Sequence, residues 1–249
     1  MLQREENTVE NARDLSRAEK TFIIGDVHGC NRALRGLLER LEPDSETDRL
    51  IFLGDLFDRG PESWEVLQTV KALTESFKER FVLLRGNHED YLLQPKLTFM
   101  QRMTWNQVGR PATVNSFKQH REKMESSIPW LEEHCRMYYK EARFQCAHAG
   151  IKRDPIEDND DYTLLHDHDV VMRNHYHGPF TVTGHIALNE PVWFKGEGKY
   201  EKPSYGEWHP LPEQGVLCID TGCGKGGALT GMIIQGKSYW LESEEEEQY

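Results

Sequence analysis

One pattern occurs three times in this chain: a short apolar run ending in a glycine-anchored polar loop. Thr21 to Gly25, Arg49 to Gly54 and Phe81 to Arg85 have the length and near-continuous apolar character of strands buried on both faces. Between them, apolar residues recur at helical spacing. Leu34, Leu37, Leu38 and Leu41 follow the first loop; Val66, Leu67, Val70 and Leu73 follow the second, with Pro61 suited to the first helical turn. The order is β-loop-α, β-loop-α, β-loop. In open α/β sheets ligands gather at loops leaving the carboxyl ends of strands, so the three loops are expected to converge.

Those loops read Gly25-Asp26-Val27-His28-Gly29, Gly54-Asp55-Leu56-Phe57-Asp58-Arg59-Gly60 and Arg85-Gly86-Asn87-His88-Glu89. Glycine lets backbone approach an ion or a phosphate closely. Carboxylate oxygen with imidazole nitrogen suits Mn, Fe, Zn or Ni better than Mg or Ca. Two such ions, about 3.5 to 4 Å apart, can clamp an in-line displacement at phosphorus, with a carboxylate such as Asp55 bridging them. Two divalent transition-metal ions, manganese foremost, are the expected cofactor.

The three loops match, without a substitution, the signatures Gly-Asp-x-His-Gly, Gly-Asp-x-x-Asp-Arg-Gly and Gly-Asn-His-Glu. On them the chain resembles the phosphoprotein phosphatase family of calcineurin-like metallophosphoesterases, over about Thr21 to Gly236, and its compact bacterial and phage branch in particular. The resemblance implies a mixed α/β fold, a four-layer αββα sandwich of two mixed β-sheets flanked by helices. It implies that Asp26, His28 and Asp55 hold one metal, and Asp55, Asn87, His148 and His185 the other. The two late histidines stand in Ala147-His148-Ala149-Gly150 and Thr183-Gly184-His185, each after an apolar strand. It also implies a metal-bridging hydroxide as nucleophile and His88 as general acid. An alkoxide is a poor leaving group, so a positioned imidazolium lowers the barrier, and Asp58 is placed to hold that imidazole. Arg59 would grip phosphate oxygens through its planar fork. By resemblance Arg173 is the second phosphate arginine, although the segment around it departs from the family pattern, and Arg85 is a further phosphate contact.

The substrate is expected to be phosphoserine or phosphothreonine in protein, or another small phosphoester. The alternative is a bis(5'-nucleosyl)-tetraphosphatase, a dinucleoside polyphosphate hydrolase. Arg85 and Glu89 decide between them here, because the tetraphosphatases more often end the third motif in aspartate and lack its arginine. A catalytically silent metal binder would have lost a ligand or His88, and none is lost.

The remainder divides simply. Residues 1–20 show no apolar periodicity and are expected to be a disordered N-terminal segment. Residues 21–241 are expected to form the domain, with a helical insert at about 90–141 that is a candidate lid. The glutamate-rich residues 242–249 are expected to be a solvated acidic tail. From Arg143 onward short strands suggest a second, largely antiparallel layer, including Leu229 to Ile234. His166, His168, His175 and His177 flank Arg173 and read as a solvated, substrate-facing segment. Gly222 to Gly227 fits Gly-x-Gly-x-x-Gly but leaves no room for a nucleotide-binding βαβ unit, so it reads as a structural turn.

A chain of 249 residues, 37% hydrophobic, suffices for one substantial core. Its net charge of −12 is the wrong sign for bulk nucleic-acid binding and weighs against a nuclease. No apolar run is long enough to cross a membrane. Five cysteines without a signal-like segment suggest reduced thiols, and a cytoplasmic location is expected.

Overall fold

In the computed structural model, which describes residues 19–246, the alternation of apolar residues along the strands sorts side chains into separate cores. In the first strand, β1 (Thr21–Ile24), Phe22 and Ile24 point to one side and Ile23 to the other, as a period of two dictates. The chain then runs through α1 (Asn31–Leu41), β2 (Arg49–Phe52), α2 (Ser63–Phe77), β3 (Phe81–Leu84) and α3 (Asn87–Leu93). The insert follows as α4 (Phe99–Gln107), α5 (Arg110–Gln119) and α6 (Ile128–His134), before β4 (Cys135–Arg136), β5 (Tyr138–Lys140) and β6 (Gln145–Ala147). The second half holds α7 (Asp161–His166), α8 (Asp169–Arg173), β7 (Thr181–Thr183), β8 (Val192–Gly196), β9 (Lys199–Glu201), β10 (Trp208–Pro210), β11 (Val216–Cys218), β12 (Ala228–Gln235) and β13 (Ser238–Glu245).

One sheet has the order β10-β13-β12-β1-β2-β3-β4, in which β1 to β4 pair in parallel and β12, β13 and β10 are antiparallel additions. The other has the order β5-β6-β7-β11-β8-β9, with β6, β7 and β11 parallel and the rest antiparallel. Between the sheets, Ile23, Ile51, Leu53 and Val82 meet Phe180, Val182, Leu217 and Ile219. On the outer side of the first sheet, Phe22, Ile24, Leu50 and Phe52 pack with Leu34 and Leu37 of α1, Val66 and Val70 of α2, and Trp105 and Phe117 of the insert. Leu164 of α7 and Val170 of α8 cover the second sheet through Val192, Phe194 and Val216. The result is the expected αββα sandwich of two mixed sheets.

Three boundaries differ from the sequence reading. The run Leu229 to Ile234 belongs to the first sheet, where β12 pairs with β1 through Ile24↔Gly231, and not to the second layer. The helical insert ends at His134, because Cys135–Arg136 and Tyr138–Lys140 add strands to the two sheets. The acidic run is not a free tail as far as Glu246. Glu242, Glu244 and Glu245 lie in β13 beside β12, Arg40 of α1 meets Glu244 at 2.7 Å, and Glu246 Oε2 accepts from Gly224 N and Gly226 N at 2.9 and 2.8 Å. Residues 1–18 and 247–249, where disorder was expected, lie outside the described residues.

Candidate active site

Strands β1, β2 and β3 deliver the three motif loops to one edge, and backbone hydrogen bonds lock them together. Val27 N and His28 N donate to Asp55 O at 3.1 and 2.8 Å, and Gly60 N donates to His28 O at 2.9 Å. Glu89, fully buried, clamps the second loop to the third: its carboxylate accepts from Asp55 N (2.8 Å), Leu56 N (2.8 Å) and Gly86 N (3.0 Å). Gly54 has φ +104°, and a Cβ there would lie 2.6 Å from Gly86 N, so the two loops can approach only with glycine at this position. Among the described residues, His28, Asp55, Asp58, Arg59 and His185 are half of the non-glycine residues with positive φ. Such backbone persists only where the surroundings over-determine it, and it clusters at functional sites.

Asp55 Oδ2 sits amid three imidazoles: His28 Nε2 at 3.5 Å, His148 Nε2 at 3.5 Å and His88 Nε2 at 3.9 Å. Asn87 Oδ1 lies 3.0 Å from both His148 Nε2 and His185 Nδ1. Asp26 Oδ2 accepts from His185 N at 2.9 Å, and Asp26 Oδ1 is buried with no partner. All six predicted ligands and His88 are thus brought together, and two groups, His28-Asp55-His88 and Asp55-His148-His185, have ligand atoms close enough to hold a metal.

The electrostatics fit cations. Burial, then the charges of Asp220 and Asp55, push the Asp26 carboxyl well up, a penalty a positive ion would relieve. Burial pushes His28 and His148 down and, with His148 as neighbour, His185 to about 3, so these rings are neutral and offer lone pairs. Their tautomers follow from their partners. His28 Nδ1 donates to Phe57 O at 2.9 Å and His148 Nδ1 to Leu53 O at 2.8 Å, which leaves each Nε2 lone pair facing inward. Converging lone pairs on His148, Asn87 and Asp55 repel unless a cation lies among them. The mixed oxygen and imidazole set suits a transition metal.

His88 behaves differently. Burial works against its charged form, but Asp55 and the contact with Asp58 outweigh burial and raise its pKa above the ordinary histidine value. Its Nδ1 lies 2.6 Å from Asp58 Oδ2. Asp58 is no helix cap: it also accepts from Trp105 Nε1 and Thr113 Oγ1, each at 2.6 Å. The insert thus touches the centre of the site, and Gly109 (φ +125°) abuts Arg59, where a Cβ would stand 2.3 Å from Arg59 N.

Two predicted arginines are not brought into the cluster. Arg173 is 67% exposed on its side chain and its Nε meets Asp169 Oδ1 at 3.3 Å, while it lines a separate pocket with Lys152 and Tyr176. Arg85 pairs with Asp90 at 2.6 Å. Arg59 stays beside the cluster, with a buried Nε that lacks a partner. Sequence reasoning missed the clamp of Glu89, the holders Trp105 and Thr113, Asp220 beside Asp26, and His168, whose Nε2 lies 2.9 Å from His185 Nε2. The strand end at Asp220 and the paired His166 and His168 were visible signals; nothing in the sequence marked Thr113. All five cysteines are free.

Comparison with known proteins agrees with this geometry. The calcineurin-like phosphoesterase profile matches residues 20–214. The chain belongs to the calcineurin-like phosphoesterase family. Within this metallophosphoesterase family it is 37% identical over 162 residues to a symmetrical bis(5'-nucleosyl)-tetraphosphatase of Coxiella burnetii, covering 64% of this chain and 50% of that one. The chain thus spans about half the length of the symmetrical relatives it matches. It is 30% identical over 240 residues to an asymmetrical bis(5'-nucleosyl)-tetraphosphatase of Anoxybacillus flavithermus, covering 84% of this chain and 88% of that one. A solved structure described provisionally as a diadenosine tetraphosphatase superposes with a TM-score of 0.62 at 18% identity, over 93% and 96% of the two chains, which shows the shared fold. The family implies a dimetal centre, and no helix among the described residues is long and apolar enough to cross a membrane.

Proposed function

We propose that this metallophosphoesterase hydrolyses dinucleoside polyphosphates. The observation that carries this reading is the match to the asymmetrical tetraphosphatase over nearly the whole of both chains. The expectation of a phosphoserine or phosphothreonine substrate rested on Arg85 and Glu89. Arg85 is committed to Asp90, and Glu89 is buried as a clamp on three backbone N–H groups, so neither speaks to the substrate.

In this reading Asp26, His28 and Asp55 hold one divalent ion, and Asp55, Asn87, His148 and His185 hold the other. Bound there, two divalent ions would supply Lewis acidity and lower the pKa of a coordinated water. Arg59 holds phosphate oxygens and spreads their charge. His88 delivers a proton to the leaving oxygen, with Asp58 fixing its Nδ1 and turning Nε2 toward the reacting group. A nucleotide leaving group needs that proton less than an alkoxide does, so His88→Asn is expected to cost more on alkyl phosphates than on phosphoanhydrides.

The test is a manganese-supplemented assay of diadenosine tetraphosphate beside a phosphothreonine peptide. A dinucleotide preference of about tenfold or more in kcat/KM, a transition-state difference of about 1.4 kcal/mol, is expected. Preference for the peptide overturns the substrate reading. The products, two ADP or ATP with AMP, then assign symmetrical or asymmetrical cleavage.

A further inference from the structure

The helical insert reaches the centre of the site through two buried side chains. Trp105, on α4, donates its indole Nε1–H to Asp58 Oδ2 at 2.6 Å, the oxygen that also faces His88 Nδ1 at 2.6 Å. Thr113, on α5, donates its hydroxyl to Asp58 Oδ1 at 2.6 Å and accepts from Asp58 N at 2.8 Å, with Ser63 Oγ 3.2 Å away. Both carboxylate oxygens and the backbone N–H of Asp58 are therefore saturated by neighbours that exclude water: Asp58 and Thr113 are 1% exposed and Trp105 6%. The arrangement is rigid from behind as well. Tyr91 stacks on Trp105 with ring centroids 5.7 Å apart, and the Arg110 guanidinium lies 4.9 Å over the indole. Asp58 itself has φ +70°, a backbone state that needs external support in any residue other than glycine.

We propose that Trp105 and Thr113 are positioning residues that fix the carboxylate of Asp58 against His88 Nδ1, so that the insert sets the aim of the His88 proton. A carboxylate with free rotation about χ2 can offer His88 either oxygen at varied angles. Here Thr113 takes one oxygen and Trp105 shares the other, which leaves a single geometry for the His88 Nδ1 hydrogen bond. Hydrogen bonds aimed at one lone-pair direction weaken steeply as they bend, so losing either holder loosens the imidazole without removing it. The inference rests on the reading of His88 as proton donor.

The experiment measures kcat and KM of the manganese-loaded enzyme for aryl phosphates of graded leaving-group basicity, in wild type, His88→Asn, Trp105→Phe, Thr113→Val and Thr113→Ser. The NMR resonance of the His88 Nδ1 proton is followed in the same variants loaded with diamagnetic zinc, and thermal melting checks folding. Trp105→Phe and Thr113→Val are expected to lower kcat about tenfold on the most basic leaving groups and to leave the most acidic ones within twofold, with KM little changed, while Thr113→Ser restores wild-type values. The downfield proton resonance shifts or broadens in the two disruptive variants. The inference is overturned if His88→Asn steepens the dependence on leaving group but Trp105→Phe and Thr113→Val leave both slope and resonance as in wild type. If His88→Asn itself leaves the slope unchanged, the proton-donor reading fails instead, and the two failures are told apart.

Discussion

At Asp55, one carboxylate oxygen lies within 4 Å of the Nε2 atoms of His28, His88 and His148, while the other accepts His88 N at 3.0 Å. A single charge is shared by both candidate metal groups. Asp55→Asn is accordingly expected to weaken retention of metal by about 100-fold or more, read by equilibrium dialysis with metal analysis. Unchanged retention would remove Asp55 from the residues proposed to hold metal. Glu89 acts on the protein rather than on ligands. Replacing it by glutamine keeps one accepting oxygen but turns an NH2 donor against at least one of the three buried backbone donors, an expected cost of about 2 to 3 kcal/mol in denaturant unfolding. A variant as stable as wild type would show that the clamp is dispensable. In the sequence Glu89 looked like a mark of substrate class. What a motif letter cannot tell is whether the side chain faces the ligand or the neighbouring loop, and here it faces the loop.

Among the elements, β1, β2 and β3 were legible because they are buried on both faces and therefore nearly continuous in apolar residues. The strand β13 was hidden by its own composition. Tyr239 and Leu241 point into the space between the sheets, while Glu242 and Glu244 face Arg40 of α1, so a period of two was masked by a run of acids. The strands β4 and β5, two and three residues long, are too short to carry a pattern. Assigning β12 to the wrong sheet followed from its distance in sequence from β1, since its pairing is set by the tertiary return of the chain. The insert looked like a lid because of its aromatic residues, yet Gly109 wedges it against Arg59. Gly109→Ala places a Cβ into Arg59 N at a φ that L-residues rarely adopt. It is expected to destabilise the chain by about 1 to 3 kcal/mol and to raise KM through a displaced Arg59. Wild-type KM and melting would show that the insert does not bear on Arg59.

For the whole molecule, two sheets stacked through one apolar interface carry the candidate ligands from five loops to a common edge. The convergence of Asp26, His28, Asp55, Asn87, His148 and His185 was legible in the sequence because strand ends in this architecture are where chemistry collects; Arg173 stands apart, its guanidinium meeting Asp169. Bound metal adds its binding free energy to folding, about 2.7 kcal/mol for each site at a hundredfold excess over Kd, so manganese is expected to raise the melting temperature and a chelator to lower it. In the proposed reading two ions sit together on Asp55. Electron paramagnetic resonance of the protein loaded with manganese, with metal content measured on the same sample, tests it most directly. Two ions per chain and the signal of an exchange-coupled pair are expected; one ion per chain with an isolated six-line manganese signal would rule out paired ions on Asp55.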